Sequence, residues 1–393
     1  MIEIKDKRMC SGCTACHSVC PKRCITMEMD EEGYLYPIVD KATCINCGLC
    51  EKVCPISKEV PLNDYVPQAF AVQNKNEKIR RQSASGGAFT AFADYVIEKG
   101  GYVFGGAFDE SLGVRHIGVD NKTDLAKLRC SKYVQSNLEG CFPKVKELLK
   151  KGKLVLFSGT PCQVNGVKSY LRKEYSNLIT LDLVCRGTPS PGLWRSYIDW
   201  YKSRHRVELS LVSFRDKPFG YAGSTMSIKD ENGNIKYTTR DVQFFKKVFF
   251  ADINNRPSCF ACHFKSVKRN SDLTLYDCWH MNKIDASLDD DKGSTWVIIQ
   301  SERGKQLFEN VADKIRFCHA EVSTAIELDG DMATECPIPS PMRKQFFRDY
   351  NVLSFEELVN KYSPQSFKSI FIGFMKPIMH KFGVLNTIKR LIK

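Results

Sequence analysis

Two groups of four cysteines stand near the amino-terminal end with identical spacing. Cys10, Cys13, Cys16 and Cys20 are followed by Pro21, and Cys44, Cys47, Cys50 and Cys54 by Pro55. The run C-x2-C-x2-C-x3-C-P suits a pair of [4Fe–4S] clusters. A two-residue gap lets one tight loop bring three thiolates to three corners of a cubane while backbone N–H groups face its sulfurs, and the fourth ligand comes from the other quartet. The spacing therefore groups Cys10, Cys13, Cys16 with Cys54, and Cys44, Cys47, Cys50 with Cys20. Gly12 and Gly48 fall where those loops must turn sharply. Zinc also accepts four thiolates, but its sites usually show paired C-x2-C knuckles. Cys24 lies outside both patterns and reads as a small buried hydrophobe. Clusters of this kind move single electrons and bind no organic substrate, so chemistry on a substrate would fall to the rest of the chain.

Three later stretches could do chemistry. Ser83-Ala84-Ser85-Gly86-Gly87 opens a helix-like run over 88–98. Such a turn offers free N–H groups and the positive end of a helix to a phosphate, and it fits an ordinary glycine-containing N-cap equally well. In Ser158-Gly159-Thr160-Pro161-Cys162-Gln163, Thr160 can cap a helix, Pro161 suits its first position and Gln163 completes a T-x-x-Q capping box. Cys162 then sits in the first helical turn, where the dipole favours the thiolate and suits a metal ligand or a nucleophile. The alternative is a half-buried cysteine beside a phosphate-binding turn. Cys185 lies where a buried strand ends, and Cys259 and Cys262 form a C-x2-C pair. These four could build a third metal site, with Cys278 or His263 as substitute ligands, whereas Cys130, Cys141, Cys318 and Cys336 have no partner at ligand spacing and read as structural.

The elements that would position these groups follow from periodicity. Residues 102–108, 114–119, 153–158, 178–184 and 295–301 read as strands, and 163–174 and 191–203 as helices. Residues 226–239 hold Asp230-Glu231-Asn232-Gly233-Asn234 between alternating residues and read as a hairpin. Strand and helix alternating at this spacing predict an α/β core. Three regions result: a cysteine-rich domain over 1–62, an α/β domain over 63–350 and a basic amphipathic tail over 351–393. Pro55, Pro61 and Pro67 mark the first boundary.

The formal net charge is +13. Residues 1–60 are near neutral, with eight Lys/Arg against nine Asp/Glu, while the last 28 residues carry six Lys/Arg and no acid. The tail, rich in large apolar residues, therefore predicts contact with an anionic membrane surface or an acidic partner, against the plainer option of a helix packed on the domain. The start of the chain has no apolar signal core and no apolar run could span a bilayer, so a cytoplasmic protein is expected, with the tail able to touch the inner membrane face. There, clustered cysteines mean metal ligands more often than disulfides. No motif that reads nucleic acid accompanies the positive charge.

A paired-cluster head followed by S-x-S-G-G (Ser83 to Gly87), S-K-Y-V-Q-S (Ser131 to Ser136), G-T-P-C-Q (Gly159 to Gln163), C-x-G-x-P-S-P (Cys185 to Pro191) and R-x-S-C-x-x-C (Arg256 to Cys262) resembles the coenzyme F-420 hydrogenase/dehydrogenase beta-subunit family. The resemblance covers about residues 5–340. It implies an α+β ferredoxin-like amino-terminal domain followed by an α/β flavin-binding domain with a mixed sheet. It also implies FAD, with Ser85, Gly86, Gly87, Lys132, Tyr133, Ser136 and Thr160 lining the flavin, and a third [4Fe–4S] cluster on Cys162, Cys185, Cys259 and Cys262. The expected function is an FAD-dependent iron–sulfur oxidoreductase exchanging electrons with ferredoxin or another redox protein and acting on a small organic substrate or coenzyme F-420. The alternative is a non-catalytic subunit delivering electrons to a partner enzyme. Lys132, Tyr133 and His280 are the candidate proton donors.

Overall fold

The computed structural model describes residues 1–57, 62, 64–364, 375, 378 and 379. The head holds α1 (Ala15–Val19), the antiparallel pair β1 (Ile25–Met29) and β2 (Leu35–Val39), and α2 (Leu49–Lys52). The chain then enters a large sheet with β3 (Gln68–Asn74), passes α3 (Glu77–Arg81) and α4 (Ala88–Glu98), and continues through β4 (Tyr102–Phe108), β5 (Val114–Val119), α5 (Lys122–Leu128) and α6 (Cys141–Lys150). Next come β6 (Val155–Gly159), α7 (Pro161–Leu171), β7 (Leu178–Leu183) and α8 (Pro191–His205). A small antiparallel sheet follows, β8 (Leu209–Asp216), β9 (Thr225–Asp230) and β10 (Ile235–Lys236), then α9 (Arg240–Phe250). The chain returns to the large sheet with β11 (Leu273–Asp277), β12 (Thr295–Ile299), α10 (Glu302–Asn310) and β13 (Ile315–Ala320), before α11 (Val322–Asp329), α12 (Arg343–Tyr350) and α13 (Phe355–Tyr362).

The large sheet is mixed, with the order β13-β3-β12-β11-β7-β6-β4-β5. Its centre, β11-β7-β6-β4, is parallel and every other pairing is antiparallel. Parallel strands are covered on both faces, which is why 153–158 and 178–184 read as continuous apolar runs. Leu156, Ile179 and Leu181 face α4, α5 and α10 through Phe92, Leu125 and Phe308, while Val155, Phe157 and Leu178 face α6 and α7 through Phe142 and Val164. Each such side chain contributes roughly 1.5–3 kcal/mol on burial. Trp194, Tyr197, Phe214, Phe244 and Phe245 form a separate aromatic core between α8, α9 and the small sheet.

Strand and helix positions follow the sequence reading closely. The run 88–98 is α4, the segment 191–203 lies within α8, and Asp230 to Asn234 closes the hairpin of β9 and β10. Within the stretch read as a tail, α13 is capped by Ser354 with Glu357 and buries Leu358 and Val359 against the aromatic core. Almost all of residues 365–393, including the basic segment, lie outside the described residues. Among the described residues, no helix is long and apolar enough to cross a membrane.

The head packs directly on the body. Gly192 N–H donates to Gly33 O at 3.0 Å, and Ser190 Oγ to Glu32 O at 2.6 Å. The first cysteine loop approaches α7 closely, where a β-carbon on Gly166 would stand 2.9 Å from Cys13 Cβ and 3.2 Å from Cys13 Sγ. In an unhindered helix interior, Gly→Ala stabilises by about 0.5–1 kcal/mol. At this position the sign reverses: Gly166→Ala lowers stability by about 1–3 kcal/mol through overpacking, read as a lower midpoint in thermal or denaturant unfolding. A raised midpoint would show that the head does not sit on α7.

Candidate cluster sites and cofactor cleft

The first cysteine loop is shaped by two left-handed residues, Gly12 (φ 69°) and Thr14 (φ 62°), immediately before α1. Burial pushes the Cys13 thiol up to about 12, and its neighbours Cys10 and Cys54 push the same way. Cys16 is raised by burial and then by Cys13, Cys10 and Cys54. The four thiols are thus gathered in one place. Cys20, Cys44, Cys47 and Cys50 line a second, small cavity together with Met1 and Ile45, and Ile2 N–H donates to Cys50 Sγ at 3.3 Å. The fold therefore brings the fourth cysteine of each quartet to the first three of the other. Cys24 is buried, as its isolation suggested, but it lines the second cavity with its Sγ 3.4 Å from Cys20 Sγ.

A third cavity forms where the parallel strands end. Cys162 comes from the first turn of α7, Cys185 from just beyond β7, and Cys259 and Cys262 from a short 3-10 turn at Pro257–Ala261 and its end. His263 lines the same cavity, whereas Cys278 is buried with its Sγ 4.0 Å from Met281 Sδ. Among the described residues no carboxylate lines it, and Arg186, Lys265 and Arg269 do. Four soft sulfur donors ringed by cations fit an anionic iron–sulfur cluster in their chemistry. Among the described residues, no group of three or more His, Cys, Asp or Glu is placed to hold a single metal ion. Gln163 Oε1 accepts from Thr160 N–H at 2.9 Å, the contact that the T-x-x-Q pattern predicts. The expectation that the helix end alone would favour a Cys162 thiolate fails. Burial, with Cys262, Cys185 and Cys259 nearby, holds this thiol well above its ordinary value despite the Thr160 hydroxyl at 3.1 Å. Helix-end stabilisation of about 0.3–1 kcal/mol is too small to offset the desolvation of a charge. Cys336, which has no sequence neighbour at ligand spacing, accepts from Cys262 N–H at 3.3 Å and so belongs beside this cavity.

A cleft of about 580 Å³ opens along the same edge of the sheet. Ser85, Gly87, Lys132, Tyr133, Ser136 and Thr160 all line it. Gly86 lies behind the wall, its N–H donating to Thr295 Oγ1 at 2.8 Å, so this amide is not free for a phosphate. Ser136 is also constrained. His116 Nε2 lies 3.0 Å from Ser158 O, which can only accept, so the proton sits on Nε2 and Nδ1 accepts from the Ser136 hydroxyl at 2.6 Å. Gln163 Nε2 donates to that same hydroxyl at 3.0 Å, leaving Ser136 able only to accept from a ligand. Burial pushes His116 down to about 4, so the ring is neutral.

Lys132 Nζ donates to Lys127 O and Arg129 O at 2.8 and 2.6 Å, and burial pushes its amine down to about 8. Tyr133 OH accepts from Arg215 Nη1 at 3.2 Å. Arg215 makes a two-pronged pair with Asp277 (2.7 and 3.0 Å) and lies 4.8 Å from the centre of the Trp279 ring. This pair lines the cleft, yet nothing in the sequence singles it out, because the partners lie on β8 and β11 of different sheets. His280 pairs with Asp329 at 2.7 Å; Asp329 lines the cleft and His280 does not. Cys130, read as structural, lines the cleft and donates to Gln82 O at 3.1 Å.

The sites are contiguous. Ser11 and Ile56 of the head line the third cavity, and Thr160, Cys185, Arg186, Gly187 and Thr188 line both that cavity and the cleft.

Two family models match the chain. Residues 9–57 match the 4Fe-4S dicluster domain, and residues 152–324 match the carboxy-terminal part of the coenzyme F-420 hydrogenase/dehydrogenase beta subunit. No curated protein matches. Among solved structures, a chain of the F-420-reducing [NiFe] hydrogenase complex from Methanosarcina barkeri is 17% identical, over 77% of this chain and 94% of that one, with a TM-score of 0.44. The dicluster model spans both cysteine quartets and the beta-subunit model spans Cys162, Cys185, Cys259 and Cys262, so the chain joins an amino-terminal iron–sulfur domain to a region similar to the carboxy-terminal part of the coenzyme F-420 hydrogenase/dehydrogenase beta subunit.

Proposed function

We propose that the chain is an iron–sulfur flavoprotein oxidoreductase, with three [4Fe–4S] clusters and FAD, that reduces or oxidises a small organic substrate or a deazaflavin. One observation carries this reading: the cavity lined by Cys162, Cys185, Cys259 and Cys262 shares the wall Thr160 and Cys185 to Thr188 with the cleft. A flavin bound there would supply the exchange between single electrons and a hydride pair, which clusters alone cannot make.

The chain's own residues divide the work. The Cys10/Cys13/Cys16/Cys54 and Cys20/Cys44/Cys47/Cys50 sets hold the head clusters, and Cys47 is exposed beside Ile45, so a redox partner such as ferredoxin exchanges electrons at that end. Lys265, its Nζ donating to Cys185 O at 2.7 Å, stands as a cation beside the third cysteine set. In the cleft, Lys132 and Arg129 offer positive charge to an anionic ligand, while Asp277 neutralises Arg215 and holds its plane against Trp279. His116 stays neutral and keeps the Ser136 hydroxyl turned inward.

Anaerobic purification with iron, sulfide and flavin measured per chain tests the whole reading. About twelve irons and one FAD are expected; about eight irons and no flavin would leave an electron-transfer subunit without its own catalysis. Cys185→Ser should lower iron from about twelve to about eight while the paramagnetic signals of the head clusters persist. Loss of all iron together would refute a separate third site.

The Lys132 amine gives a pH signature. Its value near 8 means that the cation is present below that pH and lost above it. Affinity for an anionic flavin should fall as pH rises through about 8, measured by fluorescence titration, and Lys132→Gln should abolish the step. A step that survives in that variant assigns it elsewhere.

A further inference from the structure

Arg256 is wholly buried and, among the described residues, has no acidic partner. Other buried arginines pair with carboxylates: Arg215 with Asp277, Arg269 with Asp182 and Arg80 with Asp290. Among the described residues, Arg256 makes no such pair, and its guanidinium lies against Cys10 Sγ, the Tyr36 and Tyr34 rings and the Gln135 amide. Its side chain leaves the body three residues before Cys259 and ends in the head. Nε donates to Cys10 O at 2.7 Å, Nη1 to Gln135 Oε1 at 2.9 Å, and Nη2 to Leu35 O at 3.0 Å. Nη2 also lies 3.5 Å from Cys10 Sγ, and the guanidinium covers the Tyr36 ring at 4.1 Å. The turn it grips is built to admit it, because a β-carbon on Gly12 would stand 2.9 Å from Nη1. Gln135 completes the clamp, with Nε2 donating to Ser11 O at 3.1 Å.

A buried guanidinium needs a counter-charge as well as hydrogen bonds, since an isolated ion out of water costs far more than those bonds return. Four thiolates on a cubane carry net negative charge, and this cation lies against one of them, Cys10. We propose that Arg256 is the counter-cation of the head site at Cys10, and that it raises the reduction potential of the cluster that Cys10 would hold. An added electron is stabilised by a cation hydrogen-bonded to a ligand sulfur, most strongly where water is excluded. Arg256 is a tuning and positioning residue; it touches no substrate. The proposal rests on the cluster reading above.

The test uses the full chain, anaerobically prepared as wild type, Arg256→Gln and Arg256→Lys, with iron and sulfide counted before an EPR-monitored redox titration. At equal iron content, Arg256→Gln should lower the midpoint of one head cluster by at least tenfold in its reduction equilibrium, about 59 mV for one electron. The other midpoints should hold, and Arg256→Lys should recover most of the shift. Unchanged midpoints in iron-replete Arg256→Gln would overturn the proposal. Should that variant fail to fold, wild-type chain carrying guanidino-15N arginine replaces it: pulsed EPR of the reduced head cluster should show 15N coupling, and its absence overturns the proposal. Wild-type protein without iron in the head is a separate result that overturns the functional reading and this inference together.

Discussion

The contact between Cys13 and the backbone of α7 at Gly166 orders the rest of the molecule. A helix that admits no β-carbon there holds the first cysteine loop at backbone distance. The same helix carries Cys162 one turn earlier, and β6 delivers that turn to the edge of the sheet where β7 also ends. The head therefore adjoins the third cavity, and the third cavity adjoins the cleft. None of these positions is free to move independently. Shifting the head would open the Ser11 side of the third cavity, and shifting α7 would change the wall that the cavity shares with the cleft.

This arrangement explains the value of ending parallel strands at a site. β6 and β7 run side by side in register from Val155 with Leu178 to Gly159 with Asp182. Their following residues emerge next to one another, so Cys162 and Cys185 meet although 22 positions separate them in sequence. The turn at Pro257–Ala261 adds Cys259 from a part of the chain that joins neither strand. Backbone register thus performs for the third site the task that local C-x2-C spacing performs for the first two.

The same contrast decides what could be read in advance. The head quartets are legible because each loop carries its own geometry, and 88–98, 102–108 and 114–119 are legible because period and burial agree along them. The third cysteine set is legible as chemistry, through the residue type and the strand end at Cys185, but not as distance. Arg215 with Asp277, and His116 with Ser136 and Gln163, carry no sequence signal, since their meeting depends on strand order and on the small sheet lying over the large one. Cys336 and Cys130 come to lie beside the third cavity and in the cleft wall for the same reason: a cysteine without a sequence neighbour can still have a spatial one. The Cys162 thiol shows the converse error, in which a correct local feature, the helix end, is outweighed by burial that only the fold reveals.

The positive charge of the chain takes on a specific meaning at these sites. Several cations close to the cysteine sets and the cleft are held by carbonyl oxygens instead of carboxylates: Lys265 by Cys185 O and Met332 O, Lys132 by Lys127 O and Arg129 O, Lys217 by Ser85 O and Lys292 O. A carbonyl orients an ammonium group but does not cancel its charge, so the field of each cation reaches into the neighbouring cavity. Pairing the same cations with acids would have secured the side chains at the expense of that field. Burial lowers Lys265, Lys132 and Lys217 toward neutrality, which shows how little local compensation they receive. An environment of that kind favours whatever anion comes to rest beside it, and it does so most strongly where the low dielectric leaves no water to answer the charge.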